Sequence, residues 1–83
     1  MTKQQIIDQT NAYLSHTLDF EETQITPDAE LRRDLGITSV DAVAIASFVQ
    51  KTFSCAIIIP EIKALITLQD LYDYIEQHSN DTL

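Results

Sequence analysis

The chain is predicted to be all-α: three longer helices, one short third helix, and a long loop between the first two. Three observations predict this. Apolar residues recur at helical spacing in three segments, each opened by a threonine able to cap it. No segment alternates apolar and polar residues as a half-buried strand does. The 83 residues, 45% of them hydrophobic, suit one small domain built from packed helices and are too apolar for a disordered chain.

The first helix is predicted from about Thr2 to His16. Thr2 caps it, and Ile6, Thr10, Tyr13 and Leu14, with Ile7 beside them, form an apolar stripe. Lys3, Gln4, Asp8 and Gln9 face water. From Thr17 to Ile37 the periodicity is lost. Thr26-Pro27-Asp28 is a turn signal, and Ile25, Leu31 and Leu35 are expected to tack the loop to the core. A loop this long without structure of its own is uncommon and is often functional.

The second helix is predicted from Ser39 to about Phe53. Thr38 and Asp41 have the spacing of a reciprocal cap, in which the hydroxyl accepts from the Asp41 N–H and the carboxylate reaches back. Asp41 also lies in the positive first turn, and Lys51 in the negative last one. Val43, Ile45, Ala46, Val49 and Phe53 are expected to face the core. The run Cys55-Ala56-Ile57-Ile58-Ile59-Pro60 could be a strand, but no partner strand exists, so it reads as a connection. At least two of its three isoleucines are expected to pack in the core. Pro60 then opens a short third helix through Leu65. The last helix starts at Thr67, where Thr67 and Asp70 repeat the cap spacing and Leu68, Leu71, Tyr72 and Ile75 form the stripe. The polar tail from Ser79 to Leu83 is expected to fray.

Composition narrows the function. Thirteen acidic residues against five basic ones give a net charge of −8. That argues against binding nucleic acid or anionic lipid and favours partners with basic patches. The one cysteine, Cys55, forms no intramolecular disulfide and no cysteine cluster; it reads as a small buried hydrophobe in a reducing cytoplasm. His16 and His78 lie far apart without neighbouring ligands, so zinc is not expected. There is no glycine-rich phosphate loop and no calcium loop. The start of the chain lacks an apolar signal-peptide core, and no stretch nears membrane-spanning length. A domain of this size has little room for a substrate pocket, so an autonomous enzyme is not expected.

Ser39 follows a turn built on Gly36, the only glycine. Alone, it could be an ordinary helix-start serine. Thr38 is the better cap, however, because Asp41 lies three residues beyond it. Ser39 is then left in the first turn with its hydroxyl turned to solvent, beside backbone N–H groups and the positive helix end. Such a position can carry a phosphodiester without burying charge.

From the first helix to Ile75, the chain resembles the acyl carrier protein family. Three pieces carry the resemblance: Asp34-Leu35-Gly36-Ile37-Thr38-Ser39-Val40-Asp41, Phe53 closing the long helix, and Ile66-Thr67-Leu68-Gln69-Asp70-Leu71-Tyr72-Asp73-Tyr74-Ile75. The resemblance implies a four-helix bundle that carries, on Ser39, a 4'-phosphopantetheine arm donated by coenzyme A. It implies a carrier, not an enzyme, holding acyl groups as thioesters for fatty-acid, polyketide-like or other specialised lipid synthesis. The implied partners are a phosphopantetheinyl transferase and acyl-loading, condensing or acyltransferase enzymes. The chain would be a monomer, with Thr38, Val40, Asp41 and Ala44 as docking residues. An aminoacyl or peptidyl carrier, and a module of the same fold without the arm, are the alternatives. Thr38 stands where the family usually has Asp, and Val40 where Leu is usual. The exposed stripe Ala44, Ser47 and Lys51 replaces an acidic one, which suggests more apolar docking. Pro60 sits two residues later than in the familiar pattern. Arg32 and Arg33 read either as a solvated pair or as an aid to choosing a transferase or partner.

Overall fold

The computed structural model describes residues 2–79, and in them four helices follow one another: α1 (Lys3–His16), α2 (Ser39–Phe53), α3 (Ile59–Ala64) and α4 (Leu68–His78). There is no strand among the described residues, only one antiparallel bridge between Glu30 and Thr67. Of the expected frayed tail, residues 80–83 lie outside the described residues.

Each long helix begins with the same reciprocal cap. In α1 the Thr2 hydroxyl accepts from the Gln5 N–H at 3.1 Å, and the Gln5 side chain accepts from the Thr2 N–H at 2.9 Å. In α4, Thr67 and Asp70 do the same. α1 buries Ile6, Thr10 and Leu14, with Ile7 and Tyr13 half-buried. It packs along α4, whose Leu68, Leu71, Tyr72, Tyr74 and Ile75 are buried. The Tyr72 hydroxyl donates to Asn11 Oδ1 across this contact. Lys3 adds ion pairs to Asp73 at 2.5 Å and Glu76 at 2.9 Å. The Lys3 hydrogen bond, helped by one from Gln69, holds the Asp73 carboxyl below the usual carboxylate range. Stacked Tyr13 and Phe48 (ring centroids 4.2 Å apart) join α1 to α2.

The core face of α2 is Ala42, Ile45, Ala46, Val49 and Phe53. The expected Val43 is not on it and stands 47% exposed. One residue is 100° of helix, so Val43 sits to the side of a stripe centred on Ala42, Ala46, Val49 and Phe53.

The isoleucine run also departs from expectation. Cys55 is buried, but Ile57 is only half-buried, Ile58 is 57% exposed and Ile59 is exposed too. The cause is where the chain turns. Ser54 closes α2 in a left-handed conformation (φ 54°), and Ile58 becomes the N-cap of α3. Only Ile62 of that six-residue helix is buried. Pro60 is its second residue, not its first, and Leu65 lies just beyond its end. Tyr74 secures α3 to α4: its hydroxyl donates to Glu61 Oε1 at 2.7 Å and accepts from the Ile58 N–H at 3.4 Å. Burial, and then the Glu61 acceptor, push the Tyr74 hydroxyl above its ordinary pKa.

The long loop is more ordered than its sequence suggests. It contains a short 3₁₀ turn at Glu22–Gln24. Backbone bonds clamp it to the start of α4: Leu31 N–H to the Ile66 carbonyl (2.8 Å), Leu68 N–H to the Ala29 carbonyl (2.9 Å) and Gln69 N–H to the Pro27 carbonyl (2.8 Å). The expected anchors Leu31 and Leu35 are buried and Ile25 is half-buried; Ala29 and Ile37 are buried as well.

Thr10 is buried in the core, and its hydroxyl is without a hydrogen-bond partner among the described residues. A buried, unsatisfied hydroxyl is unfavourable. Thr10→Val keeps the shape and removes that group. It is expected to raise stability by about 1 kcal/mol in chemical denaturation; a loss would show that Thr10 has a polar partner.

Candidate functional site

The site is built by the turn that ends the loop and the cap that starts α2. Residues 30–35 wind into a helical turn, in which the Asp34 and Leu35 N–H groups both reach the Glu30 carbonyl. Gly36 ends it in the left-handed region (φ 65°), its N–H bonding the Arg32 carbonyl at 3.1 Å. Such a terminus favours glycine because a Cβ strains that backbone, and here no atom lies close enough to add a clash. Ile37 then turns inward, its N–H bonding the Leu31 carbonyl at 2.8 Å.

Thr38 caps α2. Its hydroxyl accepts from the Asp41 N–H, and the Asp41 carboxylate accepts from the Thr38 N–H, both at 3.2 Å. Ile37 and Ala42, at the two positions of a hydrophobic staple, line one apolar crevice beneath the cap. The entry of the chain into α2 is thus fixed on both sides.

Ser39 is the first residue of α2 and is exposed. Among the described residues its hydroxyl makes no hydrogen bond, because Thr38 does the capping. Of the other expected site residues, Val40 is 78% exposed, Thr38 is exposed, and Asp41 and Ala44 are half-buried. All five lie within the first two turns of α2 or its cap. Asp41 is also felt by Tyr13, whose hydroxyl pKa is raised by burial and then by the Asp41 charge.

The crevice runs between α2, α3 and the loop and is lined by Leu31, Ile37, Ala42, Ile45, Ile62 and Leu65, with Arg32 and Lys63 at its border. Its volume is about 20 Å³, room for roughly one water-sized sphere. Sequence reading had no means of sizing it, because it depends on how far α3 stands from α2. The bridge from Glu30 to Thr67, which holds the loop beneath the site, was equally invisible, since neither residue sits in a strand-like pattern.

A family model described as a phosphopantetheine attachment site matches residues 11–75. The chain belongs to the acyl carrier protein family. Its relatives include the acyl carrier protein of Cyanidioschyzon merolae, 36% identical over 78 residues, covering 94% of this chain and 86% of the relative. That of Guillardia theta is 29% identical over 93% of this chain and 95% of its own length. That of Rubrobacter xylanophilus is 26% identical over 94% and 96%. Members of the family are carriers, not enzymes, and their prosthetic group is 4'-phosphopantetheine. The residues here fit that group: the site has an exposed serine with an uncommitted hydroxyl at a helix start. No helix among the described residues is long and apolar enough to cross a membrane.

The division of labour between the two residues can be tested by melting. Thr38→Ala is expected to cost about 1 kcal/mol, as loss of an N-cap does. Ser39→Ala should cost less than about 0.5 kcal/mol, as an exposed substitution outside any bond does. The reverse order would assign the cap to Ser39.

Proposed function

We propose that Ser39 is the attachment residue and that this chain, one carrier domain, holds acyl intermediates for fatty-acid, polyketide-like or other specialised lipid synthesis. The observation that carries the reading is the Ser39 hydroxyl, exposed and unbonded at the first position of α2 while its neighbour caps the helix.

In the modification step, Ser39 Oγ attacks the phosphorus of coenzyme A that bears the pantetheine. A phosphodiester bond forms, the pyrophosphate bond breaks, and adenosine 3',5'-bisphosphate leaves. A base of the transferase takes the serine proton. Thr38 and Asp41 keep Oγ on the solvent side throughout. The helix-start N–H groups and macrodipole favour the phosphodiester's negative charge. When bound, the arm supplies a thiol that holds an acyl group as a thioester; the protein tethers it and so raises its concentration at each docked enzyme.

Partner docking follows the face of α2. Val40 and Val43 are exposed beside Ala44, and the helix carries a single acid, Asp41, and a single base, Lys51. This near-neutral face supports docking by apolar contact around Thr38, Val40, Asp41 and Ala44. With the crevice at about 20 Å³, an acyl chain has no room inside the bundle as it stands.

The test is intact mass before and after incubation with coenzyme A and a phosphopantetheinyl transferase. The wild-type chain is expected to gain one phosphopantetheine and Ser39→Ala none. A gain retained in Ser39→Ala would place the arm elsewhere. No gain with any of several transferases would contradict the carrier reading.

A further inference from the structure

The chain is strongly acidic, yet its few bases are not spread evenly. Of five lysines and arginines, three come together: Arg32 and Arg33 from the loop, and Lys63 from the last turn of α3. They line a surface hollow of about 200 Å³ together with Glu30, Leu65 and the exposed Ile66. Thirty-one residues apart in sequence, Arg32 and Lys63 are joined by a hydrogen bond from the guanidinium to the Lys63 carbonyl at 3.2 Å. That bond uses one of five N–H donors of the fork and holds the rest in place.

The patch is poorly neutralised from within. Arg33 is 77% exposed on its side chain and, among the described residues, pairs only with Glu30, at 3.4 Å. Lys63 has no carboxylate partner among the described residues, whereas Lys3 is paired twice. Asp34 and Asp70 stand nearby, but both are turned onto backbone: Asp34 accepts from the Glu30 N–H (2.8 Å), Asp70 from the Ile66 and Thr67 N–H groups (3.2 and 3.1 Å). The result is a hollow with three bases against one acid, Glu30, and with Leu65 and Ile66 between them; Arg32, Lys63 and Leu65 also line the crevice that Thr38 borders.

We infer that Arg32, Arg33 and Lys63, with Ile66 between them, form a docking surface for an acidic patch on the phosphopantetheinyl transferase. The inference rests on Ser39 as the attachment residue and names the chemistry of the partner that reaches it. Two arguments select this occupant. Carboxylates match the arginine forks and the lysine in charge and geometry. And later enzymes act at the far end of the arm, whereas the transferase must bring its own catalytic groups to Ser39 Oγ. The surface beside Thr38 is therefore one that the transferase cannot avoid. Net charge alone points to a basic partner; the local arrangement points the other way within about a Debye length, roughly 8 Å at physiological ionic strength.

The test uses full-length chains and, from a panel, the transferase that modifies the wild type fastest. The variant Arg32→Gln, Arg33→Gln, Lys63→Gln is compared with a distant control of equal charge change, Gln9→Glu, Ala12→Glu, Gln77→Glu, all at exposed positions. Circular dichroism confirms that both fold; should the triple variant not fold, Arg33→Gln alone, at a side chain that is 77% exposed, is measured in its place. The patch variant is expected to raise KM for arm transfer about tenfold, with kcat within twofold and the control unchanged. Equal kinetics for patch variant and wild type, or an equal loss in the control, would overturn the inference while leaving Ser39 modified. A loss seen only when an acyl-loading enzyme acts on the arm-bearing chain would overturn the choice of transferase. Failure of the wild type to accept the arm at all would instead remove the attachment reading, and this inference with it.

Discussion

The Thr38 hydroxyl and the Asp41 carboxylate close the start of α2 on each other, and the rest of the site depends on that pair. Each satisfies one backbone N–H that would otherwise face water unpaired. The helix therefore begins at one residue. Ser39 falls just inside it, where its hydroxyl has no structural duty. A helix that frayed here, or that used Ser39 as its cap, would draw the same oxygen into the backbone. Thr38 supplies the capping oxygen of the family's usual aspartate without its charge.

A cap works only if the chain arrives at it from one direction. Gly36 makes the turn, and Ile37 drives the preceding segment into the core. Further back, the clamp of 27–31 onto 66–69 ties this entry to the start of α4, which is capped by a pair of the same kind. The loop and two helix starts thus form one hydrogen-bonded unit beneath the serine. The exposed parts of α2 and α3 are the surfaces proposed for partners. The apolar residues Val40, Val43, Ile58 and Ile66 lie on the surface of a small domain that needs buried area, which is what the proposed docking would use.

Much of this was legible in the sequence, and the reason is local. Thr-x-x-Asp spacing, helical periodicity and a lone glycine each act over a few residues, so α1, α2 and α4, the cap at Thr38 and the position of Ser39 could all be read. What escaped depends on distant parts of the chain. By hydrophobicity at least two of Ile57, Ile58 and Ile59 belong in the core, but Ser54 turns the chain so that Ile58 and Ile59 lie outside. Val43 is apolar enough for the core, but the helical phase of Ala42 and Ala46 puts it to one side. The bridge at Glu30 and Thr67, the narrow crevice and the meeting of Arg32 with Lys63 join residues that are more than thirty positions apart. No short-range pattern encodes them.

In the proposed function it is the cap, and not the serine's own surroundings, that presents Ser39 for modification. The most direct measurement is the rate of arm transfer to Thr38→Ser and Thr38→Val. Serine keeps the capping hydroxyl, whereas valine keeps the shape without it. Thr38→Ser should be modified at close to the wild-type rate and Thr38→Val about fivefold more slowly, in step with loss of a cap worth about 1 kcal/mol. Equal rates for the two variants would contradict that role of the cap.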